Sequence, residues 1–95
     1  MMNSVRVSTI LKISTCDEKQ LKEIILEDNT YRFPFLNAEN LSKVIFPDMK
    51  KAVSKRGYFT ENETIYEDDG RIIQHLECYH DLLLLDFTTT ITQIV

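Results

Sequence analysis

The sequence is poor in glycine, proline and tryptophan, with two glycines, two prolines and no tryptophan among 95 residues. Gly57 and Gly70 lie too far apart to build the closely spaced glycine turn of a dinucleotide- or phosphate-binding loop. The longest apolar run, residues 82–85, is far shorter than the roughly 18 residues of a membrane-spanning helix. These shortages exclude two large classes of nucleotide-binding enzyme and a transmembrane helix.

The first residues also lack the signals of export. Residues 1–12 contain neither the apolar core nor the small-residue cleavage site of a secretion signal. We therefore expect a cytoplasmic protein. In that compartment Cys16 and Cys78 are expected to be free thiols and not a disulfide.

The composition is that of one globular domain, because 43% of the residues are hydrophobic and 27% are charged. The net charge of -4 is unevenly distributed along residues 1–95. Residues 1–57 contain ten Lys and Arg against seven Asp and Glu, whereas residues 58–95 contain Arg71 alone against eight acidic residues. This polarity favours docking on an oppositely charged surface.

The first part of the chain predicts a strand followed by a helix. Residues 5–14 alternate between apolar and polar side chains, which indicates a strand with one buried face. Thr15 and Glu18 have the spacing of a capping box. Leu21, Ile24 and Ile25 then share one helical face, so we predict a helix over residues 16–27.

The middle of the chain predicts a linker and a second helix. Residues 31–36 form an aromatic linker, in which Pro34 favours an extended backbone. Asn37 is the expected N-cap of the second helix, and Gly57 is its expected end. Pro47 interrupts this helix, which predicts either a kink near Phe46 or two short helices.

The last part predicts three strands. Residues 67–71 favour a three-residue hairpin loop with a glycine bulge at Gly70, and this hairpin favours a strand over a helix for residues 72–79. Residues 82–95 form the last predicted strand, with Phe87, Thr89, Ile91 and, less regularly, Ile94 pointing inward. The predicted fold is an α+β two-layer sandwich with a four-stranded, mainly antiparallel sheet and two helices on one face, in the order β-α-α-β-β-β. The first strand is expected to pair with a late strand, and the last strand to lie at an open edge.

No motif predicts a cofactor, a metal or an enzymatic activity. His75, Glu77, Cys78 and His80 are close in sequence, but on a strand only Cys78 and His80 share a face, which is too few ligands for zinc. A thiol activated by a histidine is the enzyme alternative, with Cys16 or Cys78 as the nucleophile.

The function favoured by the sequence is that of a non-enzymatic protein-interaction module, such as an inhibitor, an immunity or anti-defence protein or a regulatory subunit. It would dock an acidic surface or a sheet edge on a partner with a basic surface, and a homodimer is a further arrangement that an open edge allows. Tyrosines near the acidic residues would add aromatic contact area. The predicted partner-binding residues are Tyr58, Glu61, Glu63, Tyr66, Glu67, Asp68 and Asp69.

Nucleic-acid binding is the alternative function. The cations of the second predicted helix lie opposite its apolar stripe, and a residue of the aromatic linker would add a phosphate contact. The predicted residues are Arg32, Lys43, Lys50, Lys51 and Lys55. The seven excess negative charges of residues 58–95 would repel the same ligand.

A local resemblance gives a third alternative. Phe46 and Pro47 open a helix that Arg56, Gly57 and Phe59 close, and this stretch of about sixteen residues resembles the helix of the SecB export chaperone. The resemblance implies a chaperone-like subunit. In that family the helix follows the whole sheet, whereas three strands are predicted to follow it here, and no chaperone site residue is transferred.

Overall fold

The computed structural model describes residues 2–94, which form a five-stranded antiparallel sheet and one helix. The strands are ordered β2-β1-β5-β4-β3 across the sheet, so β2 and β3 are its edges within these residues. The elements are β1 (Met2–Thr15), β2 (Gln20–Pro34), α1 (Ala38–Lys55), β3 (Phe59–Asp68), β4 (Arg71–His80) and β5 (Leu83–Gln93).

The helix α1 joins the two edges of the sheet. It follows β2 and precedes β3, so the chain must cross one face of the sheet between them. It contacts β3, β4 and β5 along its length. We call the covered face the helix-side face and the other the open face. One half of the helix-side face is therefore covered by α1, while the β2 half is much less covered.

The core lies on the helix-side face, where the period of two in β1 and β5 places apolar side chains together. Val5 and Val7 of β1 are fully buried, as is Ile91 of β5, which pairs with Val7. The predicted strand over residues 5–14 and the inward positions of Phe87, Thr89 and Ile91 are confirmed, whereas the inward position of Ile94 is wrong, because Ile94 follows the end of β5 and is 51% exposed. The core forms two clusters, one built on Leu11, Val53, Leu76, Cys78, Leu85 and Phe87, the other on Val5, Val7, Ala38, Phe46 and Ile91.

A buried polar row crosses the sheet under α1. Thr9 and Thr89 are opposite each other on β1 and β5, and their hydroxyl oxygens are 3.0 Å apart. Gln74 lies opposite Thr89 on β4 and is fully buried. Because buried polar groups are costly without partners, the hydrogen bond between Thr9 and Thr89 stabilises the pairing of β1 with β5.

The predicted fold class is wrong in the number of strands and helices. Residues 2–94 form five strands and one helix in the order β-β-α-β-β-β, and not a four-stranded sheet with two helices in the order β-α-α-β-β-β. The first strand does pair with a late strand, since β1 lies beside β5. This pairing places β5 inside the sheet, so the prediction that the last strand forms an open edge is also wrong.

The predicted helix over residues 16–27 and the aromatic linker over residues 31–36 are replaced by a turn and the long strand β2. Thr15 begins the turn, in which its carbonyl accepts from the Glu18 amide at 2.9 Å. The register with β1 shifts between Ile25 and Glu27, so a β-bulge interrupts the alternation of side chains. Ile24 and Ile25 therefore lie on opposite faces of a strand, although their spacing from Leu21 also fits a helix.

The caps of α1 are those predicted, but Pro47 does not divide it. The Asn37 side chain accepts a hydrogen bond from the Asn40 amide at 2.8 Å, and Gly57 follows the helix with φ of 84°. The helix runs through Pro47 as one element, so the prediction of two short helices is wrong. Pro47 is exposed, and the carbonyl four residues before it, in exposed Lys43, can be hydrated in place of its lost donor.

The predicted hairpin after β3 is present with a shorter turn. Asp68 and Arg71 are paired, which leaves Asp69 and Gly70 as a two-residue turn and not a three-residue loop with a bulge. Both have positive φ, 50° and 76°, as a type I′ turn requires. Residues 72–79 lie within β4, as predicted. No helix within residues 2–94 is long and apolar enough to cross a membrane.

Candidate functional site

The edge strand β3 carries most of the predicted partner-binding residues. It pairs with β4 on one side, and no other strand of residues 2–94 pairs with its outer side. Every residue of β3 except Thr60 is exposed. The strand contains four carboxylates and no Lys or Arg. It therefore presents unpaired backbone groups together with negative charge.

The carboxylates of this edge differ in their surroundings. Glu63 accepts from Lys50 Nζ of α1 at 3.2 Å, and Asp68 accepts from Arg71 Nη2 at 3.1 Å. Three acidic residues form no ion pair with any residue of the described chain: Glu61 and Glu67 of β3, and Asp69 of the turn that follows it. Glu61 lies in a β-bulge between Thr60 and Asn62.

A groove separates β3 from α1 on the helix-side face. Its volume is about 520 Å³, and its apolar lining is formed by Phe46 and Pro47 of α1 and by Ile65 of β3. Ile65 is 53% exposed, although it is a large aliphatic residue in the middle of the strand. Lys50 also lines a second depression of about 420 Å³ next to Tyr58. The Lys50 to Glu63 ion pair thus bridges the two walls.

The side chain of Gln74 lies at the base of this groove. Its Nε2 donates to the Phe46 carbonyl at 3.0 Å and to Glu63 Oε2 at 2.9 Å, which connects α1 to β3 through β4. Because both partners are acceptors, the amide nitrogen and not the amide oxygen must face them. Its Oε1 is buried without a hydrogen-bond partner among residues 2–94. The amide therefore links two residues that line the groove, Phe46 of α1 and Glu63 of β3.

The two predicted tyrosine anchors occupy different environments. Tyr58 is half-buried, and its ring packs edge-on against His80 with centroids 5.2 Å apart. Tyr66 is 41% exposed and lies on the open face, where its hydroxyl is 3.0 Å from His75 Nε2. Asp86 Oδ1 is 3.1 Å from His75 Nδ1 on the other side of the ring. Tyr66 is therefore the more exposed of the two, while Tyr58 lines the depression next to Lys50.

The four candidate metal ligands are divided between the two faces, as predicted. Cys78 is fully buried in the core of the helix-side face, and His75 and Glu77 lie on the open face. His80 is on the helix-side face but exposed at the end of β4. No group of three or more potential metal ligands occurs in residues 2–94.

The two thiols lie in different surroundings. Burial raises the pKa of the Cys78 thiol, which favours the unreactive protonated form. Cys16 is exposed in the turn between β1 and β2, where its Sγ donates to the Leu82 carbonyl at 3.2 Å. Both cysteines are free.

The structure brings together three of the five predicted nucleic-acid-binding residues. Arg32 lies on β2 opposite Ser4, on the open face and away from α1. Lys50 is paired with Glu63, and Lys43 is 4.0 Å from Glu39. Lys50, Lys51 and Lys55 line one shallow depression on the exposed side of α1. The basic surface is thus limited to one helix face.

Sequence reasoning missed two features of the site. Phe46, Pro47 and Ile65 were not predicted to form a groove, because their proximity depends on how α1 packs over β3. The exposed edge strand β2 was also missed, because a helix was predicted over its first residues. Its Ile, Thr, Tyr and Phe content is nevertheless typical of strands.

No protein-family model, no curated protein and no solved structure matches this chain. The similarity of residues 44–59 to the SecB helix thus stays a local resemblance, and it covers the second half of α1 and the first residue of β3.

Proposed function

We propose that this protein is a non-enzymatic docking module that binds a basic surface of another protein through the edge strand β3. The observation that carries the proposal is an exposed edge strand with four carboxylates and no cation. Such an edge offers backbone hydrogen-bonding groups and an electrostatic preference at the same place.

The charge pattern favours a different protein over a second copy at this edge. Two β3 strands that paired with each other would bring their carboxylates together, and like charges across a strand pair are destabilising. A partner with Lys or Arg gains from the same arrangement. The three acidic residues without an ion pair, Glu61, Glu67 and Asp69, are the strongest candidates for this contact.

The test is reconstitution with a partner purified alongside the protein from the organism that encodes it. Glu61→Lys combined with Glu67→Lys should weaken binding by about 10- to 100-fold, because two attractions become repulsions. The control variant, Glu18→Lys combined with Glu23→Lys, makes the same change in net charge near the other edge and should bind like the wild type.

The affinity of the wild type should also fall as the salt concentration rises, since exposed charges are screened. Equal losses in the two variants would mean that only net charge matters, and would contradict an interface on β3. Failure to recover any protein in a stoichiometric complex would contradict the docking function itself.

A further inference from the structure

We infer that the partner contributes an extended segment that adds to β3 as a further antiparallel strand, placing an apolar side chain in the groove between α1 and β3. A basic side chain two residues before it in that segment would then face Glu67. This inference rests on the proposed function, since it names the element that occupies the edge.

The backbone of β3 is suited to strand addition from Asn62 onward. The register shift at Glu61 ends at Asn62, and pairing with β4 is regular from Glu63 to Asp68. Along this stretch the outward backbone groups have no partner strand within residues 2–94. All pairs in the sheet are antiparallel, and antiparallel pairing is slightly more stable per residue, so we expect an incoming strand to take that direction.

The side-chain pattern of β3 determines what the incoming strand needs. Glu63, Ile65 and Glu67 all lie on the helix-side face, because alternate residues share a face. A residue directly opposite Ile65 would therefore also point to that side, next to the groove lined by Phe46 and Pro47. An apolar residue at this position would cover the exposed Ile65 side chain.

The charges around the groove determine which residue types suit the incoming strand on either side of its apolar residue. Glu63 is neutralised by Lys50, so a cation opposite Glu63 would meet positive charge. Glu67 forms no ion pair with any of the described residues. Because an antiparallel strand passes Glu67 before Ile65, the expected pattern from N- to C-terminus is basic, any residue, apolar.

A synthetic peptide tests this pattern without the natural partner. We would titrate the isotope-labelled protein with acetyl-TRTVTT-amide and follow backbone amide signals and amide hydrogen exchange by NMR. Binding should shift the signals of residues 62–68 and slow the exchange of their outward-facing amides, with no change in residues 20–34 of β2. The reversed peptide, acetyl-TTVTRT-amide, has the same composition and charge and should bind several-fold more weakly.

A third peptide separates strand addition from charge attraction alone. In this peptide alternate backbone nitrogens of acetyl-TRTVTT-amide are methylated on the edge that would face β3, which removes donors but leaves the side chains unchanged. It should not slow amide exchange in β3. Equal binding of the methylated peptide, or signal changes confined to the lysines of α1, would overturn the inference.

Variants of the reconstituted complex distinguish failure of this inference from failure of the proposed function. Ile65→Thr keeps a β-branched residue but removes apolar contact, and should weaken partner binding by about tenfold. Ile25→Thr on β2 is the matched control and should have no effect. If the Glu61 and Glu67 reversals weaken binding while Ile65→Thr does not, the docking function stands and strand addition is wrong. If none of these variants weakens binding, both are wrong.

Discussion

The two edges of the sheet differ in charge and in how α1 supports them. The strand β2 has fifteen residues, nearly all exposed, and its two cations nearly balance its three carboxylates. The strand β3 is shorter, carries only negative charge and lies beside α1. Natural proteins protect edge strands with charge and bulges, and β3 has both. Like charges would therefore oppose the pairing of β3 with its own copy, whereas the proposed basic strand would meet complementary charge.

The edge β2 has a different character. Its bulge near Leu26 interrupts the strand, and Pro34 ends it, but Ile25 and Phe33 remain well exposed. Its near-neutral charge does not oppose self-pairing. A homodimer, if it forms, would therefore be expected at β2 and not at β3, which leaves the proposed docking edge free.

The largest expected effect is a difference in the free energy of unfolding between two isoleucine-to-alanine variants, one in the buried core and one on the β2 edge. Ile91→Ala should cost about 2 to 5 kcal/mol in the free energy of unfolding, because Ile91 is fully buried and its removal leaves a cavity. Ile25→Ala should cost less than about 1 kcal/mol, since Ile25 is 69% exposed. Urea denaturation of both variants measures this difference. A cost at Ile25 similar to that at Ile91 would show that β2 is covered in solution.

A smaller effect is expected where β1 meets β5 in the buried polar row under α1. Thr9→Val should cost about 1 to 2 kcal/mol, because it leaves the buried hydroxyl of Thr89 without its partner. Thr9→Val combined with Thr89→Val removes both hydroxyls and should recover most of that loss. A double-mutant cycle from urea denaturation measures the coupling, and additive losses would contradict a specific hydrogen bond.

How much of this fold the sequence predicts depends on whether the signal is local. The caps at Asn37 and Gly57 and the position of the turn at Asp69 and Gly70 are encoded by the residues that form them, so they were predicted, although the length of the turn was not. The first half of β2 was predicted as a helix because the bulge disturbs the alternation and both faces of the strand are exposed, which leaves no clear period of two.

The candidate site was partly predictable for the same reason. The carboxylates of residues 61–69 are visible in the sequence as a cluster, and the structure places them on an edge. The groove could not be predicted, because Phe46 and Ile65 are brought together only when α1 crosses from β2 to β3. That crossing in turn depends on the strand that was predicted as a helix.

The smallest expected effect concerns the ion pair that stabilises the β2 edge against β1. Arg6 Nε and Nη2 donate to the two carboxylate oxygens of Asp28 at 2.9 and 2.8 Å, and these hydrogen bonds hold the pKa of Asp28 below its ordinary value. A lowered pKa in the folded state means that the stabilisation is present above the unfolded pKa, about 4, and is lost as the pH falls through the lowered value. NMR titration of the side-chain carboxyl should therefore give a pKa below 3.8 in the wild type.

Arg6→Gln should return the pKa of Asp28 toward its ordinary value, with little change in stability at neutral pH because the pair is exposed. The matched variant, Arg71→Gln, removes the cation that pairs with Asp68 beside the turn after β3 and should leave the pKa of Asp28 unchanged. If Arg6→Gln does not move that pKa, the pair is not formed in solution. In that case β2 would be joined to β1 by backbone pairing and side-chain packing without this ion pair. The two edges would then also differ in their ion pairs, since Glu63 and Asp68 of β3 each have one.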